Sequence, residues 1–424
     1  MALPPLRGAL NKHGNAALFT LSSLSKTAVM FAASLVTARV VAPADLGLWN
    51  GVALLSTYAL FLQAGVINGL SRELPFELGA GDNAEASRLV RTALRFTLLG
   101  CTVAGVLGVV AVLAPWTNPV RLSAVAAVAV LIPCTFYQNF LAVTFRSRNS
   151  FGALARAQFF TALAMAASIP LLYWWAYPGM LVRIALLALA ATALLHRARP
   201  FRIASAWDGA TFKKLMKTGL PIFTLSYADT TAATFDRLFV LSFAGAEALG
   251  YYALGLMAMD AFSVLPQALA TYVYPRMTYA WGREGDRRAL WRRSWQATAF
   301  VVCMMSPLAA AGWVLVPHVV PLLFPRYAAG APAAQLLLVA SVFAGARLGV
   351  NALWSMKSWG PIVTYTLIGV GLRTALPLWG VRAHKSAIEG AALGVLAASA
   401  AHLAVALVLT YRATHSAQPS CEIL

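Results

Sequence analysis

Windows of about twenty apolar residues recur along almost the whole chain, separated only by short polar stretches, and this pattern leaves few folds open. A helix rises 1.5 Å per residue and the hydrocarbon core of a bilayer is about 30 Å thick, so about 20 mostly apolar residues make one crossing. Twelve such helices are predicted, near residues 17–40, 47–70, 94–114, 122–145, 157–176, 179–196, 218–243, 249–274, 295–316, 332–352, 361–380 and 388–411. Only 11% of the 424 residues are charged, against about 25% in soluble domains, and the mean hydropathy is +0.71. The expected class is therefore an all-α polytopic membrane protein. No polar interruption exceeds about two dozen residues, too few for a soluble catalytic or nucleotide-binding domain, and no GxxxxGK[ST] phosphate loop occurs. The first window follows Arg7 and Lys12 as a secretory leader would, but it is long, carries Lys26 and has a later counterpart, so it is expected to be retained. Between the fifth and sixth windows only Ala176-Tyr177-Pro178-Gly179 intervene, which predicts a tight turn.

The chain holds 33 Lys and Arg against 14 Asp and Glu, a net charge of +19. In a soluble protein this would point to nucleic acid. In a membrane protein it first reports topology, because cytoplasmic loops collect Lys and Arg. With the N-terminus inside, 23 basic residues fall in cytoplasmic stretches and six outside: Arg39, Arg121, Arg183, Arg326, Arg382 and Lys385. This asymmetry predicts an even number of spans, both termini in the cytoplasm and no nucleic-acid partner. The other four, Lys26, Arg237, Arg347 and Arg373, fall inside predicted helices. Cys101, Cys134, Cys303 and Cys421 show no CxxC spacing and no His at ligand spacing, so no disulfide framework, metal site or cofactor is expected.

The sequence also repeats itself. Ala42-Pro43-Ala44-Asp45-Leu46-Gly47-Leu48-Trp49 is echoed by Gly245-Ala246-Glu247-Ala248-Leu249-Gly250-Tyr251-Tyr252, with the Leu-Gly pairs 203 residues apart. Pro75 followed by Gly81-Asp82 is echoed by Pro275 followed by Gly285-Asp286, and both Gly-Asp pairs precede an Arg-rich approach to the next helix. A Gly-containing turn lets two antiparallel helices meet, the acidic residue complements the dipole of the second helix, and the aromatic rests at the interface. Two matches at one period predict two parallel six-helix lobes, 1–207 and 208–424.

The run GLPIFTLSYADTTAATFDRLFVLSFAGAEALGYYALG, residues 219–255, resembles the seventh-helix signature of bacterial O-antigen-type polysaccharide flippases. ARVVAPADLGLWNG resembles the matching first-helix element, and LPQALATYVYPRM resembles the eighth helix with its terminal Pro-Arg. The resemblance covers nearly the whole chain and belongs to the superfamily that includes multidrug exporters and the usually fourteen-helix lipid II flippases. It implies a pair of six-helix lobes around a central cavity, and transfer of an undecaprenyl-pyrophosphate-linked oligosaccharide from the cytoplasmic to the outer leaflet of the inner membrane. It also implies a polysaccharide polymerase and a chain-length regulator as partners, alongside membrane lipid.

A charge at the bilayer centre costs at least about 2.5–3.5 kcal/mol, so the intramembrane charges are the candidate site. Lys26, Arg237, Arg347 and Arg373 are candidates to bind pyrophosphate, since guanidinium and ammonium groups hold phosphate without hydrolysing it. Two of them have a stated alternative: Arg237 snorkelling outward, and Arg347 in close helix packing beside Gly345 and Gly349; Arg373 is left open. Lys26 lies in the polar run Ser22-Ser23-Leu24-Ser25-Lys26-Thr27, natural along a water-filled cavity. Asp229, Asp236 and Asp260 are candidates for proton or sodium coupling, and Asp236 alternatively for a clamp between helices. Tyr173, Trp174 and Trp175 are expected to anchor the interface rather than stack on sugar. A membrane polymerase or ligase would present a large outer loop with catalytic Arg and His, whereas the longest here, about 317–331, holds only His318 and Arg326, so no catalytic residue is assigned. An ion-coupled multidrug exporter is the alternative function. It would be expected to line its cavity with acids rather than with four basic groups.

Overall fold

Hydrocarbon offers no hydrogen-bond partner, so each crossing must satisfy its own backbone, and among the described residues helices account for the regular structure without a strand. The structure, a computed structural model, describes residues 25–115 and 118–415, apart from the side chains at 268, 271, 272, 275, 276 and 280. Arg7, Lys12, positions 17–24 of the first predicted helix and Cys421 lie outside the described residues, as does the side chain of Arg276. In chain order the helices are α1 (25–40), α2 (Pro43–Ala59), α3 (Val66–Ala80), α4 (Asn83–Leu113), α5 (Pro119–Ser147), α6 (Phe151–Ala167) and α7 (Pro170–Arg197). They continue with α8 (Gly209–Ala232), α9 (Phe235–Glu284), α10 (Arg287–Leu323), α11 (Ala331–Ala346), α12 (Asn351–Ser355), α13 (Trp359–Ala383) and α14 (Ala387–His415).

Nine helical stretches among the described residues are long and apolar enough to cross a membrane. Two backbone reversals and the described part of α1 bring the passes to the twelve expected. Ala176, inside α7, has φ 46° and ψ −117°. Arg183 consequently reaches back to the Ser168 hydroxyl at 2.9 Å, although fifteen residues of straight helix would span about 22 Å. The fifth pass is therefore α6 with the start of α7, and the sixth is the rest of α7. A Cβ at Gly179 would overlap the Leu171 carbonyl, so glycine is what lets this corner close. Tyr173, Trp174 and Trp175, all exposed, surround the reversal. Gly245, with φ 84°, divides α9 in the same way.

The repeated Gly-Asp pairs do the same work twice. Gly81 and Gly285, at φ 81° and 61°, end α3 and α9 in the left-handed conformation. Asp82 then accepts from the Glu85 amide at 2.8 Å, and Asp286 from the Arg288 amide at 2.8 Å, capping α4 and α10. The long helices on either side run past the predicted apolar windows, α9 to Glu284 and α10 back to Arg287. The Leu-Gly motif differs from expectation. The turn glycine of the second copy is Gly245 rather than Gly250, and Tyr252 lies in the core rather than at the interface. The predicted outer loop at 317–331 is mostly helical, and His318 there bonds the Val314 carbonyl of its own helix at 2.9 Å.

Contacts divide the chain into Met1–Thr230 and Thr231–Leu424. The sequence repeat places its boundary at 207/208, but the residues of α8 up to Thr230 pack with the first unit. There Leu215 joins a core of Val66, Leu70, Leu74, Leu89 and Phe145. Gly219, the glycine of the Gly-Leu-Pro motif, lies against Gly65, and Gly69 against Leu215, so close that an added Cβ at either would overlap backbone. Polar contacts extend this seam: Lys214 Nζ is 2.8 Å from Glu77 and 3.1 Å from Glu85, and the Thr218 hydroxyl donates to Glu73 at 2.9 Å. Ahead of α8, Asp208 caps the helix, and the Thr211 hydroxyl holds its carboxyl below the usual carboxylate range. In the second unit α13 packs on α14, and α11 on α9, α10 and α14, around Val240, Leu249, Tyr252, Leu337 and Ala391.

Overpacking a close contact costs about 1–3 kcal/mol. Gly219→Val should therefore lower the Tm of the purified protein by several degrees. Gly371→Ala, whose added Cβ meets nothing, should leave it unchanged. A wild-type Tm for Gly219→Val would show that α8 does not lie against α3 in this way.

Candidate functional site

Five of the seven candidate charges, Asp236, Arg237, Asp260, Arg347 and Arg373, lie in the second unit. Asp236 stands in the first turn of α9, where the helix dipole favours a carboxylate. It is 6% exposed. Its Oδ2 accepts a 2.8 Å hydrogen bond from the hydroxyl of Tyr252, which is fully buried on the other side of the Gly245 reversal. Asp236 thus ties the two arms of the hairpin together. Its other oxygen, Oδ1, is buried with no hydrogen-bond partner among the described residues, and so is Nε of the adjacent Arg237. Neighbouring side chains on a helix diverge by about 100°, so the two do not face each other. Arg237 instead lies within electrostatic reach of Asp260 and of Tyr252. Chemically, the hairpin holds a carboxylate with one oxygen left over, able to take up a proton or a monovalent cation, beside a guanidinium with donor capacity in reserve.

Arg347 lies in a 3-10 turn, Arg347–Val350, between α11 and α12. Two hydroxyls of α10 stabilise this departure from α geometry by taking up carbonyls. Ser294 donates to Gly349 at 2.9 Å and Thr298 to Ala346 at 3.0 Å. Arg347 places Nη1 2.8 Å from His402 Nδ1 on α14 and donates through Nε to the Ala344 carbonyl at 3.1 Å. His402 is entirely buried, stacked on the Tyr365 ring at 4.1 Å, with Nε2 3.3 Å from the Tyr365 carbonyl. A guanidinium only donates, so Nδ1 accepts and Nε2 carries the proton. Gly369 makes room for the imidazole, since a Cβ there would overlap the ring. His402 is absent from the sequence-based candidates. A histidine inside an apolar window was the available signal, but its partner lies 55 residues away.

Lys26, on α1, and Asp229, on α8, belong to the first unit, and both are half-buried. Arg373, on α13, is half-buried in the second unit, and like Asp229 it makes a non-covalent contact within the protein. The structure therefore holds Arg237 near Asp260 and Arg347 against His402 as two separate groupings. One correction concerns Arg183, expected among the outer basic residues. It is 6% exposed within α7 and donates to Ser168 Oγ at 2.9 Å and the Met165 carbonyl at 3.3 Å. The reversal at Ala176 carries it two turns into the sixth pass. Among the described residues no three His, Cys, Asp or Glu side chains gather as metal ligands.

Tyr252→Phe would strip Asp236 of its donor. Leaving a buried polar group unpaired costs about 1–3 kcal/mol, so the variant should unfold at lower temperature than wild type. Combining it with Asp236→Asn should cost less than the sum of the two single changes. Strict additivity in that double-mutant cycle would show that the two side chains do not interact.

The family model described as "Polysaccharide biosynthesis protein" matches residues 36–326. No curated protein matches the chain in sequence. Among solved structures, an inward-facing multidrug resistance MATE family transporter of the MOP superfamily superposes with a TM-score of 0.70 at 13% identity, covering 93% of this chain and 94% of that one. An outward-facing MATE transporter gives 0.65 at 14% identity, with 94% and 95% covered. A Vibrio cholerae MATE transporter gives 0.60 at 15%, with 95% and 97% covered. At these identities the likeness is one of fold: a two-lobed, all-helical, multi-pass membrane protein.

Proposed function

The chain belongs to the polysaccharide biosynthesis protein family, and from that premise we propose that it is a flippase for lipid-linked oligosaccharide. Its substrate is an undecaprenyl-pyrophosphate-linked glycan destined for a surface polysaccharide such as O-antigen, another lipopolysaccharide component or exopolysaccharide. It carries this lipid from the cytoplasmic to the outer leaflet of the bacterial inner membrane. The arginine-rich ends of the helices face the cytoplasm, with both termini. The family match carries this reading, and the basic residues within the spans support it over other cargoes.

A pyrophosphate brings at least two negative charges into a low-dielectric region, where they must be matched by opposite charge. Arg237, with donor capacity left over at Nε, is placed to meet a phosphate oxygen. Arg347 takes part by exchanging His402 for phosphate. Lys26 and Arg373 complete the set, and the two six-helix lobes, 1–207 and 208–424, give it alternating access to the two leaflets. Asp229, Asp236 and Asp260 couple this movement to a proton or sodium ion. No bond of the substrate is broken, so the chain works without catalytic residues or a cofactor. A polysaccharide polymerase and a chain-length regulator act on the delivered glycan.

The second reading, an ion-coupled multidrug exporter, draws on the MATE fold and on the acids near Arg237. Disrupting the gene separates the two. Flippase loss leaves lipid-linked glycan facing the cytoplasm. Exporter loss instead leaves glycan export intact and sensitises cells to cationic drugs. A charge-assisted hydrogen bond contributes about 1.5–3 kcal/mol, so Lys26→Ala or Arg373→Ala should each lower glycan export about tenfold or more at normal protein levels. Full export by both variants would remove the cationic site.

A further inference from the structure

We propose that the basic end of α10, with the adjoining end of α14, binds the headgroup of an anionic phospholipid in the leaflet beside it. α10 holds 37 residues, about 55 Å of helix against a hydrocarbon core of about 30 Å, so its first turns stand clear of hydrocarbon. Arg288, Trp291, Arg292 and Trp295 are spaced by threes and fours and share one face about 100° wide. Arg288, Arg292 and Trp295 are exposed on it, while Leu290, on the opposite side of the helix, is buried. The Trp291 ring bridges to α14, 6.4 Å from Trp295 and 5.4 Å from Tyr411, which is also exposed.

Exposed Trp and Tyr settle where hydrocarbon meets headgroups. With Trp295 at that level, Arg292 stands about 4.5 Å and Arg288 about 10 Å farther out along the helix. The headgroup layer is about 5–7 Å thick on each side, so both long side chains bring their guanidiniums to the level of the phosphates. The acids of this segment are already engaged. Asp286 caps α10 through the Arg288 and Ala289 amides at 2.8 and 3.2 Å, and Glu284 pairs with Arg283 and, at 3.2 Å, with Arg293. Among the described residues no ion pair includes Arg288 or Arg292. Insertion topology requires only that Lys and Arg be numerous on one side. It does not require two of them to share a face with an interfacial Trp. A phosphate held by two guanidiniums, with its acyl chains running past Trp295, matches that face, whatever cargo the protein carries.

Native mass spectrometry of the full chain released from mixed phosphatidylglycerol and phosphatidylcholine nanodiscs tests this. The wild type should retain phosphatidylglycerol in preference. Arg288→Gln with Arg292→Gln should reduce that retention on the order of tenfold or more, while Arg121→Gln should not. Excess inorganic phosphate should leave the lipid bound. Equal retention of the two lipids by the wild type, or displacement by inorganic phosphate alone, would overturn the proposal even if the double variant failed to fold.

Discussion

Hydrocarbon supplies no partner for a polar group, and each polar choice in this chain answers that constraint. It imposes helices throughout, because a helix satisfies its own backbone. Where a helix departs from regular geometry, side chains step in, as Ser294 and Thr298 do for the carbonyls around the 3-10 turn at Arg347. Where a charge enters, the protein brings a specific partner to it: Tyr252 to Asp236, Ser168 to Arg183, His402 to Arg347. Asp236 Oδ1 and Arg237 Nε are buried without a hydrogen-bond partner among the described residues, which is costly in such a place.

The passes were legible in the sequence because each is a hydropathy window of fixed physical length, and because turn chemistry is local. The Tyr-Pro-Gly at the fifth turn and the two Gly-Asp pairs read correctly as a corner and as helix boundaries. What hydropathy missed was polar helix. α3, the end of α9 and the start of α10 extend beyond the apolar windows as charged helical segments, invisible to a criterion that counts apolar residues. Arg183 reads as an outer residue, although it falls within the predicted window 179–196, because hydropathy does not show that the corner at Ala176 brings its side chain back against Ser168.

Which residues become partners across helices was not legible, although a clamp by Asp236 was one of the readings. Asp236 and Tyr252 are sixteen residues apart, and Arg347 and His402 fifty-five. Nothing local in either sequence neighbourhood requires the match. Gly219 illustrates an intermediate case. Its motif was visible, but its physical role was not: it lets α8 approach the backbone of Gly65. The positive charge likewise separates by position. Most of it falls between the apolar windows, a few residues lie inside the helices, and two at the start of α10 share a face with exposed Trp295.

The central claim is movement of a lipid-linked glycan from one leaflet to the other. The direct measurement uses the purified chain in sealed proteoliposomes that contain undecaprenyl-pyrophosphate oligosaccharide in both leaflets, with an external glycan-cleaving enzyme. With a flippase present, the inner-leaflet glycan becomes accessible and digestion proceeds well beyond the outer half while vesicles stay sealed. Digestion that stops at the outer half, together with uptake or efflux of a cationic dye driven by an ion gradient, would contradict the flippase reading and establish the drug exporter in its place.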